Sequence, residues 1–402
     1  MSDAGRIVVV GAGVAGIAAA YAASTSGAEV ILIDEQDAPG GWLRSSITPI
    51  QNPPDMLAGM RGFEAAAYGS EVVTSSSIDY RPNSTVWGLF EYRTLGVVGP
   101  DGAYQLQPDQ IILATGSTEI VWPFRGWTLP GVMTARAARN FMHLHFVLPG
   151  RRVAIIGPGD AAAQMADDLE VAGARVVARF ESPDSLEAGG ENSVEWVEGD
   201  GERFAVDAVI LALGSMPDPE LARHALADLI FSGADGCHVP ERNAHMQTSV
   251  DGIFVVGDAG GITNVAEAVS QGFIAGYAAT GSGELATAMG TLADITAKRD
   301  EHVSVGDPAL IPDDEQVDRE EQVTTRQIRD AISGGAVSIN DVKRKTRAGM
   351  GISQGRDTDY VIARMIHQQA GISLDQLVPM TARPPARLIS LADLAAIAVA
   401  TD

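Results

Sequence analysis

Cysteine is almost missing from this 402-residue chain: Cys237 is the single one. One thiol excludes an internal disulfide, a CxxC redox pair, a four-cysteine zinc site and a complete thiolate-ligated iron–sulfur cluster. Lysine is nearly as scarce, confined to Lys298, Lys343 and Lys345, so arginine carries most of the positive charge. The net charge of −24 and the sequence pI near 4.5 repel phosphate backbones and anionic membrane surfaces, which argues against nucleic-acid binding and lipid docking. Such an acidic, arginine-biased balance fits a salt-rich cytoplasm and a GC-rich genome equally well. No run approaches the ~18 uncharged apolar residues of a membrane-spanning helix. The opening residues run straight into an apolar strand with no signal-peptide layout, so a reducing, cytoplasmic setting is expected.

What is present reads as alternating strand and helix. Arg6–Val10 is an apolar run short enough for a buried parallel strand; Gly11, Gly13 and Gly16 follow, then an alanine-rich helix to Ser26 and a second strand, Glu29–Ile33. This is a βαβ unit with a dinucleotide fingerprint. The first glycine permits the tight turn, the second admits a pyrophosphate to the backbone, and the third lets helix and strand close up. Val14 and Ala15 open the helix, whose N-terminus offers free N–H groups and a partial positive charge to phosphates. An acid at the end of the second strand accepts the adenosine ribose hydroxyls. Spacing favours Asp34, and a one-residue slip puts Glu35 there instead.

NAD and FAD share this fingerprint, and other residues lean towards flavin. Gly40, Gly41 and Trp42 follow the second strand; Gln110–Leu113 ends at Ala114-Thr115-Gly116; and Gly252–Val256 ends at Gly257-Asp258 ahead of a helix from about 264 to 279. An Asp at that place can bond a ribityl chain. The following helix N-terminus, at Val265 and Ala266, faces the pyrimidine end of an isoalloxazine and stabilises its reduced anion. Val86–Val98 and Gln105–Thr115 read as intervening β-structure.

A second βαβ unit starts at Arg152–Ile156, turns through Gly157, Pro158 and Gly159 with Ala162 in the third glycine's place, and ends in Arg175–Phe180. Pro158 supplies no N–H, and Asp160 sets a negative charge near the phosphate position. Glu181 suits a ribose and disfavours a 2′-phosphate, so the two readings are an NAD site and a site that has lost its nucleotide. The expected architecture is α/β: a discontinuous FAD-binding domain (1–118 and 248–299), an NAD(P)-binding-like domain (119–247), an acidic linker (300–316), a small α-helical domain (317–380) and a tail helix (381–402). Cys237 reads as a loop residue, and His143 and His145 read as helical residues on different faces.

The stretches Ala114–Glu119, Pro123–Ala135 and Leu148–Val153 carry a resemblance. On these the chain is similar, nearly end to end, to the FAD-binding alpha subunits of heteromeric amino-acid and opine dehydrogenases, of the opine oxidase, hydrogen cyanide synthase and dye-linked proline or hydroxyproline dehydrogenase types. The two dinucleotide units resemble the glutathione-reductase and thioredoxin-reductase flavoproteins. The resemblance implies FAD and an amine or amino-acid substrate. As partners it implies a small iron–sulfur subunit together with a D-amino-acid-oxidase-like FAD beta subunit. It also implies a C-terminal ferredoxin-like domain holding a [2Fe–2S] cluster. Here the chain departs from the family. Asp318-Arg319-Glu320-Glu321 stands where a Cys-Arg-Cys-Glu pattern is expected, and Ala348 and Ser353 take the other two cysteine positions. Carboxylate, methyl and hydroxyl groups do not replace four thiolates, so no cluster is expected in this chain. Trp42 replaces a glutamine, with a flavin-side, subunit-contact or core role open to it. Two further readings are a stand-alone NADH-dependent flavin reductase and a non-catalytic flavin-binding scaffold. Neither names a catalytic residue.

Overall fold

Four short apolar runs and the edge strand Ile78–Arg81 become one parallel sheet in the computed structural model, which describes residues 5–296 and 311–400. Its strand order is Ile253–Val255, Gln110–Leu113, Arg6–Val10, Glu29–Ile33, Ile78–Arg81. The central strand is fully buried at Ile7, Val8 and Val9, as a strand covered on both faces must be. The helix Val14–Thr25 packs on it and against the late helix Val265–Thr280, where Gly272 and Gly276 let the two backbones approach. An antiparallel sheet of Thr85–Phe90, Thr94–Gly99 and Gly102–Leu106 covers the other side; the run read as Gln105–Thr115 is thus divided between two sheets.

The second unit repeats the plan with a four-stranded parallel sheet, ordered Arg175–Phe180, Arg152–Ile156, Ala208–Leu211, Val132–Thr134. Two short segments cross between the units. Ser117–Glu119 pairs antiparallel with Ser215–Pro217, which ties the exit from the first unit to the way back.

Of the acidic linker, residues 300–310 lie outside the described residues. Its last six are packed rather than extended: Ile311 is buried, Asp313 pairs with Arg329, Asp314 with Arg125, and Gln316 begins a strand. The C-terminal helices are Thr325–Ser333, Ile339–Thr346 and Asp359–Ala370. Their apolar positions Ile328, Ile332, Val342, Val361, Ile362, Met365 and Ile366 are all buried, in a core continuous with that of the second unit. Trp127 joins the two, its indole N–H donating to the Gln316 carbonyl at 2.9 Å. The chain then returns to the first unit, where the last helix, Leu391–Ala400, packs against Gly102–Leu106.

Three expectations change. Cys237 opens a strand, Cys237–Pro240, paired with Leu229–Ser232, because Val239 has a buried place to fill in that hairpin. His145 lies beyond the helix Ala135–His143, whose C-terminal turn closes through the Leu144 N–H. Helices at Gly62–Ser75 and Leu285–Thr296 add to those read from the sequence. Among the described residues no helix is long and apolar enough to cross a membrane.

Candidate functional site

The carboxyl ends of the first sheet's strands open into a cavity of about 550 Å³. It lies where α/β sheets of this type bind ligands. Val10, Gly11, Gly13, Glu35, Gly41, Trp42, Thr115, Gly116 and Asp258 line it.

The glycine turn is built by three unequal constraints. Gly11 takes φ +102°, and a methyl there would overlap the Ala114 carbonyl; a methyl on Gly16 would overlap the Gly11 carbonyl. Gly13 is different. It caps the helix from extended backbone, φ −72° and ψ 178°, with no side chain bonding the first-turn N–H groups, and nothing lies within 4 Å of where its Cβ would be. The open space is on the ligand side, which is what a pyrophosphate needs to meet the backbone. Gly116 lines the cavity with the same free space. Val14 is half-buried and Ala15 buried, so these two offer only backbone. Gly40 donates its N–H to the Ala12 carbonyl at 2.7 Å and braces the turn from outside the lining.

The two candidate acids separate cleanly. Asp34 is buried; one carboxylate oxygen accepts the Ala12 N–H and the other the Gln36 N–H at 2.7 Å. Burial pushes its carboxyl above the ordinary value, and the two N–H groups work against that rise. Both acids border the cavity, but the Asp34 oxygens are taken up in holding the turn, while Glu35 is half-exposed there. Spacing favoured Asp34; the side-chain geometry favours Glu35.

At the other end, Asp258 Oδ1 accepts the N–H and hydroxyl of Thr263, and Oδ2 accepts the Ser117 hydroxyl at 3.0 Å. That uses three of the roughly four acceptor positions of a carboxylate. Arg136 donates to the Ser117 carbonyl at 2.7 Å and to its hydroxyl at 3.2 Å, which sets a cation on this rim. Gly257 donates its N–H to Gln271 at 2.9 Å and does not line the cavity. Nor do Val265 and Ala266. The helix start carries its own capping box, in which Asn264 and Glu267 satisfy each other's N–H, not those of Val265 and Ala266. Trp42 is 45% exposed on the cavity's edge, which removes the core reading.

Sequence reading missed Arg136, Asn140 and Leu144 on the rim, Asp218 and Glu220 behind it, and Ala386 and Arg387 from the far end of the chain. Each arrives by tertiary placement, with no local motif to announce it.

The second glycine turn keeps its backbone form. A methyl on Gly157 would overlap the Ala212 carbonyl, while Gly159 starts its helix with open space beside it. Ala162 is buried and Glu181 exposed. None of the four lines either of the two cavities described. The smaller cavity, about 80 Å³, shares Thr118, Asp218 and Glu220 with the first and reaches under the C-terminal helices. Cys237 borders it, its thiol pushed up to about 12 by burial and by Asp235. Such a thiol stays protonated and unreactive at neutral pH. Among the described residues no group of three or more His, Cys, Asp or Glu is disposed to hold a metal ion.

Known proteins bear on this geometry. Residues 5–186 and 177–272 match the pyridine nucleotide-disulphide oxidoreductase family, and residues 313–398 match the sarcosine oxidase A3 domain. The A subunit of opine oxidase from Agrobacterium tumefaciens (strain Ach5) is 28% identical over 98% of this chain and 92% of its own. The alpha subunit of sarcosine oxidase from Rhizobium meliloti (strain 1021) is 28% identical over 94% of this chain, which spans 41% of that longer protein. L-Proline dehydrogenase from P. horikoshii shares the fold, with a TM-score of 0.86 and 23% identity over 97% of this chain and 79% of that one. The family model alone covers more than half of the sequence, and the open glycine cradle fits its cofactor. The chain belongs to the pyridine nucleotide-disulphide oxidoreductase family and is an FAD-dependent oxidoreductase.

Proposed function

We propose that this chain is the FAD-binding alpha subunit of a heteromeric dehydrogenase or oxidase acting on an amino acid, imino acid or other secondary amine. The observation that carries the reading is the first cavity, complete from Gly13 to Asp258, in a chain aligned over nearly all its length with an opine oxidase subunit. Gly11, Gly13, Gly16, Gly41, Thr115 and Gly116 form the backbone cradle, Glu35 accepts the ribose hydroxyls, and the Asp258–Ser117–Arg136 array orients the flavin side. FAD supplies two-electron redox chemistry when bound. The chain's own groups bind, orient and exclude water, and no acid–base pair is assigned. With a single cysteine, the disulphide half of the family's chemistry is missing, so electrons pass between flavins or to an external acceptor.

The partner in this reading is a D-amino-acid-oxidase-like flavoprotein that oxidises the C–N bond. Its test is co-expression with an amine-oxidase-like flavoprotein encoded beside it, purification through a tag on this chain, and anaerobic mixing with proline, sarcosine and opines. We expect a stable complex whose visible flavin band bleaches with one of these amines, and no bleaching of this chain alone. Two non-interacting proteins on size-exclusion chromatography contradict the reading.

A second reading has one observation in its favour. Gly159 keeps its helix start open, as a nicotinamide dinucleotide requires, and Glu181 suits NAD. Rapid bleaching of this chain's flavin by NADH alone selects a self-sufficient flavin reductase over the heteromeric enzyme.

A further inference from the structure

The end of the first cavity nearest Glu35 is not closed by the two dinucleotide folds alone. Its walls there are Val86 and Leu221, both buried, together with Ala386 and Arg387 from the segment between the C-terminal helices and the tail helix. Resting on the reading of this cavity as the dinucleotide site, we propose that Ala386 and Arg387 are adenosine-binding residues, and that the helical C-terminal unit serves to hold them in place.

The segment is fixed at both of its backbone polar groups. The Ala386 N–H donates to the Trp87 carbonyl at 2.6 Å, and the Ala386 carbonyl accepts from Arg356, which stands between the helices of the C-terminal unit. Arg387 also donates to that carbonyl, at 3.1 Å. Its Nη2 then reaches Asp218 Oδ2 at 2.8 Å, and its Nε lies 3.5 Å from Glu35 Oε2. Asp218 is itself braced on the cradle, accepting the Thr115 hydroxyl at its carbonyl at 2.8 Å and donating its N–H to the Gly116 carbonyl at 3.0 Å. A planar guanidinium is thus held beside the acid that ends the second strand, where the adenosine ribose belongs. Two carboxylates flank it, so a further phosphate is repelled. The apolar walls and the flat cation suit the face of a purine instead. This gives the C-terminal unit, which has no cluster thiolates, a task at the cofactor site.

The test uses the full chain freed of flavin and titrated with FAD, ADP and FMN. ADP carries adenosine and pyrophosphate without flavin; FMN carries flavin without adenosine. Arg387→Ala should weaken FAD and ADP about tenfold and leave FMN unchanged, consistent with a stacked cation of this kind. Arg387→Lys keeps the charge beside Glu35 and Asp218 but loses the plane, and should fall between. Arg356→Ala, outside the cavity, should weaken ADP in the same direction. Melting curves of the apo proteins establish that all three variants fold. Wild-type affinity for FAD and ADP in Arg387→Ala overturns the proposal alone, as does an equal loss for FMN, and unchanged ADP binding in Arg356→Ala overturns the holding role. Wild-type protein that binds neither FAD nor ADP overturns the reading of the cavity itself.

Discussion

Gly13→Val is expected to give a folded, colourless protein, and Gly16→Val a protein that does not fold. The two glycines are three residues apart in one turn, yet the space around them is opposite. Gly13 sits in extended backbone that any residue adopts, and its missing Cβ looks into empty cavity. A valine there fills the volume the pyrophosphate needs, and FAD affinity should fall on the order of 100-fold or more while the thermal midpoint of the flavin-free protein barely moves. At Gly16 a Cβ has no room, because the Gly11 carbonyl oxygen and the Ala114 methyl already occupy it. The helix Val14–Thr25 would have to lift off the fully buried strand beside it. Even Gly16→Ala should destabilise by about 3 kcal/mol, as overpacking of a tight core does. Flavin content of the purified proteins and thermal midpoints of the same proteins freed of flavin separate the two effects. Equal loss of stability in both variants would contradict the assignment.

Asp318→Ala should be the most damaging single change in the C-terminal unit. Asp318 is 1% exposed, and its carboxylate accepts three backbone N–H groups: those of Glu320 and Glu321 at 2.9 Å each, and that of Gly349 at 2.6 Å. Beside it, Glu320 accepts the Ser353 N–H at 2.8 Å. Positions 318, 320, 348 and 353 are those at which the family resemblance leads one to expect thiolates. In this chain two carboxylates stitch the same two loops together by charge-assisted hydrogen bonds, and Ala348 is fully buried between them. Truncating Asp318 leaves three amides without their acceptor, two of them part-buried and that of Gly349 buried, a loss of about 3 kcal/mol. Asp318→Asn retains one acceptor oxygen but turns an NH2 towards at least one of those amides, so it should lie between wild type and alanine. Urea midpoints order the three proteins; an alanine variant as stable as wild type would remove the account of how this unit folds without metal.

How much of this could be read from residues depended on how local the cause was. The βαβ units announce themselves within about thirty residues, because apolar runs and glycine spacing are short-range facts. The choice between Asp34 and Glu35 was not legible, since both border the cavity and only the bonds from the Ala12 and Gln36 N–H groups show that Asp34 is taken up by the turn. That Val265 and Ala266 stand outside the cavity lining is likewise a matter of tertiary placement. Cys237 looked like a loop residue among glycines, but the hairpin that takes it is fixed by pairing with Leu229–Ser232. Arg387 was beyond reach altogether. It comes to Glu35 only after the chain has passed through the second unit and the C-terminal helices, and nothing in Pro384-Pro385-Ala386-Arg387 points there.

Whether the first glycine cradle of this chain holds FAD is decided by the flavin released on denaturing the purified protein, identified by chromatography and set against protein concentration. The expected result is one FAD per chain, lost in Gly13→Val with the fold retained. A colourless wild-type protein that also fails to take up added FAD, or one carrying the same flavin after that substitution, would contradict it.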